Sequence, residues 1–257
     1  MTVANEQVEK NFSRAAARYD ELAVLQQQWL RRGIDWALEA FPKKARILDI
    51  GCGTGLFTQE TRSQRPHWRC FGLDIAFGMC ATALGREVKV VQADAQRLPF
   101  ADKSFDGVFS SLCLQWVNDK PAAIAEIARV LKPGGKAVIV TLGGANLQEL
   151  HEVSGGEMKL LPMEPVDAYR GWIAQAGLKV TRGESQPERH HYENAYALLN
   201  SMRVIGAGNA MAEHRAPQAP RPHIARITSE YDKRYQGEHG VYATWQPILL
   251  LAAKGRA

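Results

Sequence analysis

The sequence predicts an α/β fold: a parallel sheet covered by helices on both faces, with extra helices at the N-terminus and a helical insertion late in the chain. Three observations lead there. Short apolar runs of strand length alternate with stretches of helical spacing up to Leu142. The run Ile47-Leu48-Asp49-Ile50-Gly51-Cys52-Gly53-Thr54-Gly55 reads as a buried strand that ends in a glycine-rich turn, with helical pattern after it. Beyond Leu142 the alternation breaks and mostly helical pattern leads to a last apolar run, Ile248-Leu249-Leu250-Leu251-Ala252-Ala253. A chain of 257 residues can bury one large core, so one domain with an insertion is expected rather than two domains.

Residues 6–40 read as helices, with apolar positions at Val8, Phe12, Ala15, Ala16, then Leu22, Leu25, Trp29 and Leu30. Strands are expected at Arg46–Ile50, Arg69–Asp74, Val88–Ala93, Asp106–Ser110 and Lys136–Leu142. Helices fall between them near Leu56–Gln64, Phe77–Leu84 and Pro121–Leu131. Lys132-Pro133-Gly134-Gly135 is a helix stop and turn ahead of the fifth strand. Residues 143–165 read as a loop or short helix, Val166–Ala176 as a helix ended by Gly177, and Leu178–Glu184 as a strand. Residues 195–236 are mostly helical, punctuated by Gly206-Ala207-Gly208-Asn209 and by a proline-rich run from Pro217 to Pro222. Tyr242–Lys254 returns to strand, so the insertion lies between the last two strands, above the ligand edge of the sheet.

Composition is that of an ordinary globular protein. No stretch reaches the roughly 18 apolar residues of a membrane span, and the polar start from Met1 to Lys10 lacks a signal-peptide core. Cys52, Cys70, Cys80 and Cys113 form no CxxC pair, and His190-His191 matches no metal spacing, so no metal site is expected. A cytoplasmic enzyme fits. The net charge of +5 favours an acidic partner only weakly.

Three ligands compete for a strand–glycine turn–helix unit. Dinucleotide sites use G-x-G-x-x-G, but here the third position is Leu56. No Walker lysine follows, which argues against a nucleoside triphosphate. The remaining spacing, G-x-G-x-G over Gly51, Gly53 and Gly55, resembles the turn of class I S-adenosylmethionine (SAM)-dependent methyltransferases, and Asp49 ahead of it strengthens the resemblance. A tight turn without a ligand is the competing reading. Asp74 ends the second strand, where a carboxylate accepts both ribose hydroxyls or simply caps the next helix. Met79 is placed either to pack on adenine or to fill core. Asp94, ending the third strand, corresponds to the family's acceptor for the adenine amino group. Ser111 and Leu112, in Ser110-Ser111-Leu112-Cys113-Leu114-Gln115-Trp116, lie where the fourth strand ends, and the resemblance sets their main chain near the reacting methyl. Trp116 is equally readable as core. Ile75 beside Asp74 and Ala95 beside Asp94 complete the expected cofactor set. The resemblance implies a Rossmann-like sheet, mostly parallel with an antiparallel last strand.

The fold does not choose an acceptor. Phe12-Ser13-Arg14-Ala15-Ala16-Ala17-Arg18-Tyr19-Asp20, Ala23-Val24-Leu25-Gln26, Ser201-Met202-Arg203-Val204-Ile205-Gly206-Ala207-Gly208-Asn209 and Gly240-Val241-Tyr242-Ala243-Thr244-Trp245 together resemble the malonyl-acyl-carrier-protein O-methyltransferases of biotin synthesis. The resemblance runs over nearly the whole chain. Met202-Arg203 stands where the family often has Leu-Lys, which keeps the charge but changes its geometry. The family's reaction methylates the free carboxylate of malonyl thioester on acyl carrier protein, giving the methyl ester that primes pimeloyl synthesis. Such a carboxylate, with a pKa of about 4, is already ionised and needs no general base. Tyr19 and Arg203 are then the candidate catalytic residues, with Arg203 either orienting the carboxylate or the thioester arm or lying on the surface of a lid helix, and Tyr19 closing over the donor, touching the substrate or packing within its helix. Gln26 fits the pattern or is an exposed helical residue. Arg215, Arg221, Arg226, Lys233 and Arg234 give the late insertion a basic face for an acidic carrier. The expected divisions are an N-terminal helical cap over 1–42, a SAM-binding core over 43–142 and a helical substrate lid over 185–240. A monomer is the default expectation, with no nucleic acid and no membrane as partner. Two alternatives stay open: methylation of a free small carboxylic acid of the trans-aconitate kind, and a nucleic-acid-binding protein on the same fold.

Overall fold

In the computed structural model, which describes residues 5–158, 160–207 and 222–256, the chain opens with α1 (Asn5–Ala15), a 3-10 turn, α2 (Tyr19–Leu22) and α3 (Val24–Ala40). The alternating region follows as β1 (Ala45–Ile50), α4 (Leu56–Arg62), β2 (Trp68–Asp74), α5 (Phe77–Gly85), β3 (Lys89–Gln92), β4 (Phe105–Ser111), α6 (Lys120–Val130) and β5 (Leu131–Leu142). Then come α7 (Gln148–Ser154), α8 (Val166–Gln175), β6 (Leu178–Ser185), β7 (Glu188–Tyr192), α9 (Ala195–Val204), α10 (Pro222–Arg234), β8 (Gln236–Gly237), β9 (Gly240–Trp245) and β10 (Pro247–Lys254).

The main sheet has the order β3-β2-β1-β4-β5-β10-β6. Its first five strands are parallel, and β10 runs antiparallel between β5 and β6, as expected for the last strand. Strand alternation sends Ile47 and Leu48 to opposite faces. On one face Ile47, Phe109 and Val140 meet Trp29, Ile34 and Trp36 of α3. On the other, Leu48, Ile50 and Ile139 meet Ile124 and Ile127 of α6 and Tyr169 and Ile173 of α8. The N-terminal segment thus contributes α3 to the helical layer on the sheet. It lies so close that a Cβ on Gly33 would stand 2.6 Å from Val140 Cγ2.

Two expectations need correction. The Lys132–Gly135 turn lies within β5, where it displaces the register against β4 between Phe105 and Gly107. The insertion is not purely helical. β7, β9 and β8 form a separate three-stranded antiparallel sheet, so His190 and His191 lie on a strand, and Tyr242–Lys254 is two strands in two sheets. Trp29 joins this small sheet to the main body: its ring centroid is 5.8 Å from that of Trp245 and its Nε1 donates to Glu188 Oε2 at 3.3 Å. Gly208, Asn209, Arg215, Arg221 and the start of the proline-rich run lie outside the described residues. Among the described residues, no helix is long and apolar enough to cross a membrane.

Candidate active site at the carboxyl ends of the first and fourth strands

Strand order reverses between β1 and β4, the place where open α/β sheets take their ligands. The glycine turn after β1 forms one wall. Gly51, Gly53 and Gly55 all have positive φ, at 70°, 53° and 84°, yet they face different surroundings. A Cβ on Gly51 would lie 2.3 Å from Cys113 Cβ and one on Gly55 2.7 Å from Val88 Cγ2, whereas one on Gly53 would meet nothing within 4 Å. The outer glycines permit packing, and Gly53 faces open space. The turn is held from three sides. Gly51 and Cys52 N–H groups donate to Leu73 O at 2.7 and 2.9 Å, and Gly53 N–H donates to Asp74 Oδ2 at 2.9 Å. Thr54 Oγ1 donates to Asp20 Oδ1 at 2.7 Å, while Asp20 Oδ2 pairs with Arg86 at 2.6 Å.

A cavity of about 730 Å³ opens beside this turn. Gly51, Gly53, Asp74, Ile75 and Met79 line it, as do Asp94, Ala95, Ser111, Leu112 and Tyr19. Ten of the thirteen sequence-predicted residues are thus brought together in one chamber. Asp49 lines an adjoining recess of about 470 Å³ with Tyr19, Gly51 and Gly53. Gly55 and Arg203 line neither.

The acids of the chamber differ in kind. Asp74 accepts from Ala76 N–H at 2.8 Å through Oδ1 and from Gly53 through Oδ2. Burial raises its pKa, and the N–H groups of Ala76, Gly53 and Ile75 pull it back. Asp49 is pushed well above the usual carboxylate range by burial, with the Asp74 charge adding to the shift. Asp94 is held by Gln96, whose N–H donates to Oδ1 at 2.8 Å and whose amide reaches Oδ2 at 2.8 Å, and by Asn5 Nδ2 at 3.1 Å. Asn5 and Gln96 also line the chamber. The sequence reading missed both, because nothing in their local pattern distinguishes them from exposed amides. Met79 is core, 2% exposed and packed with Ala16 and Ala76, and it also forms part of the chamber wall.

A second chamber of about 640 Å³ shares Phe12, Tyr19, Leu112 and Trp116 with the first. Its walls are mainly apolar, including Trp29, Leu142, Leu160, Met163, Met202 and Trp245, with Gln26, Gln115, Asn146 and His151 as the polar groups. Trp116 meets Phe12 edge-on at 5.4 Å, so it is a partition wall between chambers rather than core alone. Leu112 sits at the junction with φ of 54°. That conformation costs a branched residue about 1–2 kcal/mol. It is fixed by Leu112 N–H donating to Val140 O at 2.8 Å and by Gln115 Nε2 donating to Leu112 O at 2.9 Å, with Gln115 Oε1 itself held by Thr141 Oγ1 at 3.1 Å. The Tyr19 phenol is pushed up by burial, then by the charges of Asp74 and Asp20, and so stays protonated.

Arg203 is the exception among the substrate candidates. On α9, Met202 and Ile205 line the second chamber, but Arg203 is exposed and its Nη2 donates to Asn200 Oδ1 at 2.7 Å. Of the basic residues expected to dock a carrier, Arg226 pairs with Glu157 at 2.5 Å and Arg234 pairs with Glu152.

Residues 48–139 match the family model described as a methyltransferase domain. The malonyl-[acyl-carrier protein] O-methyltransferase of Hahella chejuensis is 34% identical over 95% of this chain and 88% of its own length. The biotin biosynthesis bifunctional protein BioHC of Cellvibrio japonicus is 31% identical over 98% of this chain, which spans 51% of that longer protein. Among solved structures, the complex between the Haloferax volcanii Trm112 methyltransferase activator and the putative methyltransferase contains a chain that superposes with a TM-score of 0.62 at 21% identity, covering 97% of this chain and 98% of that one. That likeness speaks for the fold.

Proposed function

The chain belongs to the malonyl-[acyl-carrier protein] O-methyltransferase family, and on that premise we propose how its two chambers divide the work. The protein is a SAM-dependent carboxyl O-methyltransferase of biotin synthesis. It converts malonyl-acyl carrier protein to its methyl ester, which starts the pimeloyl chain, and releases S-adenosylhomocysteine. The observation that carries the division is the pair of chambers meeting at Tyr19 and Leu112.

In this reading the first chamber holds the donor. Gly53 supports it, because its missing side chain leaves open space at the turn. Asp74 supports it as a carboxylate lining the chamber with about four lone-pair sites, of which N–H groups of the turn and helix start occupy only some, which suits a ribose diol. Asp94 and Ala95 take the adenine edge, Ile75 and Met79 its faces, and Asp49, Ser111 and Leu112 border the methionine half. Gly51 and Gly55 shape the turn from behind. SAM supplies a methyl group on a positively charged sulfur; the acceptor oxygen–carbon bond forms as the carbon–sulfur bond breaks.

The residues of the chain contribute position rather than proton transfer. The acceptor is already an anion, so alignment and exclusion of water are the available means, and alignment alone supplies up to roughly 7–11 kcal/mol in favourable models. Leu112, held at its strained φ, fixes the gate between chambers, and Tyr19 closes it. The apolar second chamber takes the malonyl thioester. Residues 1–42 act as the cap, 43–142 as the donor core and 185–240 as the lid over the acceptor. Arg203, outside both chambers, serves the carrier surface rather than the carboxylate. The enzyme works in the cytoplasm as a monomer, with no nucleic acid or membrane.

The test is S-adenosylhomocysteine release measured with malonyl-acyl carrier protein, free malonate and trans-aconitate as competing acceptors. The carrier-bound acceptor is expected to have the highest kcat/KM. Preference for either free acid would overturn the substrate assignment.

A further inference from the structure

The second chamber contains no arginine or lysine among its described lining residues, although the acceptor carries a negative charge. Its polar groups are three amides, the Tyr19 phenol and His151. Gln115 is engaged with Leu112 and Thr141. Among the described residues, the Gln26 side chain has no hydrogen-bond partner, and neither has the Tyr19 hydroxyl. Asn146 is 4% exposed, and its Oδ1 is sealed from solvent without a partner. Its Nδ2 has no acceptor among the described residues and is not sealed as Oδ1 is, and Asn146 lines the chamber.

The backbone around Asn146 is unusually well fixed for a connection. Asn146 N–H donates to Gly143 O at 3.1 Å, Ala145 N–H to Gln246 Oε1 at 2.8 Å, and Leu147 N–H to Thr244 O at 2.7 Å. Thr244 is in turn anchored by buried Glu149, which accepts its N–H at 2.9 Å and its hydroxyl. Leu147 takes a φ of 54° to make this turn. A buried amide with unmet hydrogen bonds is costly; the sealed Oδ1 is closed to a ligand, so the unsealed, unpaired Nδ2 donor is the group through which this rigidly supported amide points to an anionic ligand.

We propose that Asn146, which lines the second chamber together with Gln26 and Tyr19, is the specificity-determining residue that holds the malonyl carboxylate through uncharged donors. This rests on the reading of the second chamber as the acceptor site. Carboxylates are acceptor-only groups with about four lone-pair sites, which amide N–H₂ and phenol O–H groups match. An arginine fork would occupy both oxygens and neutralise the nucleophile. Neutral donors hold one oxygen and leave the other free to attack. Burial keeps the Tyr19 phenol protonated and therefore a donor.

The test compares the full-length protein with Asn146→Ala, Asn146→Asp and His151→Gln, using malonyl- and acetyl-acyl carrier protein. The first readout is affinity for each carrier in the presence of S-adenosylhomocysteine. The wild type is expected to favour the malonyl form. Asn146→Ala is expected to lose roughly tenfold or more of that preference, the scale of a hydrogen bond to a charged group. Asn146→Asp, which sets like charges together, is expected to lose more, and in both variants acetyl-carrier and S-adenosylhomocysteine affinities stay within about twofold. A misfolded variant would lose all three affinities together, so retention of the last two keeps the result interpretable. An unchanged malonyl-to-acetyl ratio in both Asn146 variants would overturn the proposal. So would loss of the ratio in His151→Gln alone, which would assign the contact to His151. Absence of malonyl-carrier methylation by the wild type would instead overturn the functional reading itself.

Discussion

Replacing Gly53 with alanine or valine separates a ligand-facing glycine from a packing glycine. The backbone there has φ of 53°, where a side chain costs about 1–2 kcal/mol. No clash adds to that, because the new Cβ would have no neighbour within 4 Å. At about 2–4 °C per kcal/mol for a chain of this size, Gly53→Ala should lower Tm by only a few degrees and leave a folded protein. The same substitution at Gly51 or Gly55 drives a Cβ to 2.3 Å from Cys113 or 2.7 Å from Val88 and should cost considerably more stability. Donor binding should show the reverse order. The added carbon at Gly53 stands in the first chamber, so S-adenosylhomocysteine affinity measured by calorimetry should fall at least about tenfold, ~1.4 kcal/mol, and further in Gly53→Val. Full affinity in a folded Gly53→Val protein would refute the assignment of the first chamber to the donor.

Other outcomes follow from the same geometry. Asp49 has a folded-state pKa raised above its unfolded value, so between roughly pH 4 and that raised value the folded state binds more protons and stability falls as pH rises; Asp49→Asn should flatten that decline in Tm measured against pH. Glu149→Ala leaves the Thr244 N–H and hydroxyl unpaired in a buried site and should cost about 1–3 kcal/mol or more by urea unfolding, with KM for the carrier substrate rising as the Asn146 support loosens. Arg203→Ala removes an exposed side chain whose hydrogen bond among the described residues is to Asn200 of its own helix, so stability should change by less than about 0.5 kcal/mol. Its effect should be a salt-sensitive rise in KM for malonyl-acyl carrier protein with donor affinity unchanged, and equal losses of both would contradict the surface role.

The donor half of the site was legible because it is written in local sequence. A strand pattern, a glycine turn and carboxylates at strand ends are each fixed by a few adjacent residues, and the parallel sheet then brings Gly53, Asp74, Asp94 and Leu112 together. The acceptor half depends on packing between distant segments. Asn146 stands in a stretch that reads as polar loop, and its unmet amide exists only because Thr244 and Gln246, about a hundred residues later, pin that loop. For Arg203 the sequence left two readings open, and the facing of α9 decides for the surface one: Met202 turns inward and Arg203 outward. β7 escaped detection because Glu188-Arg189-His190-His191-Tyr192 lacks apolar alternation. Its place is set by pairing with β9 and by Glu188 meeting Trp29 and Arg32.

Intact-mass spectrometry of acyl carrier protein tests the central claim most directly. After incubation with enzyme and SAM, malonyl-carrier should gain the mass of one methyl group, removable by mild ester hydrolysis, while acetyl-carrier, which has no free carboxylate, should remain unchanged. No gain on malonyl-carrier, or an equal gain on acetyl-carrier, would contradict methylation of the malonyl carboxylate.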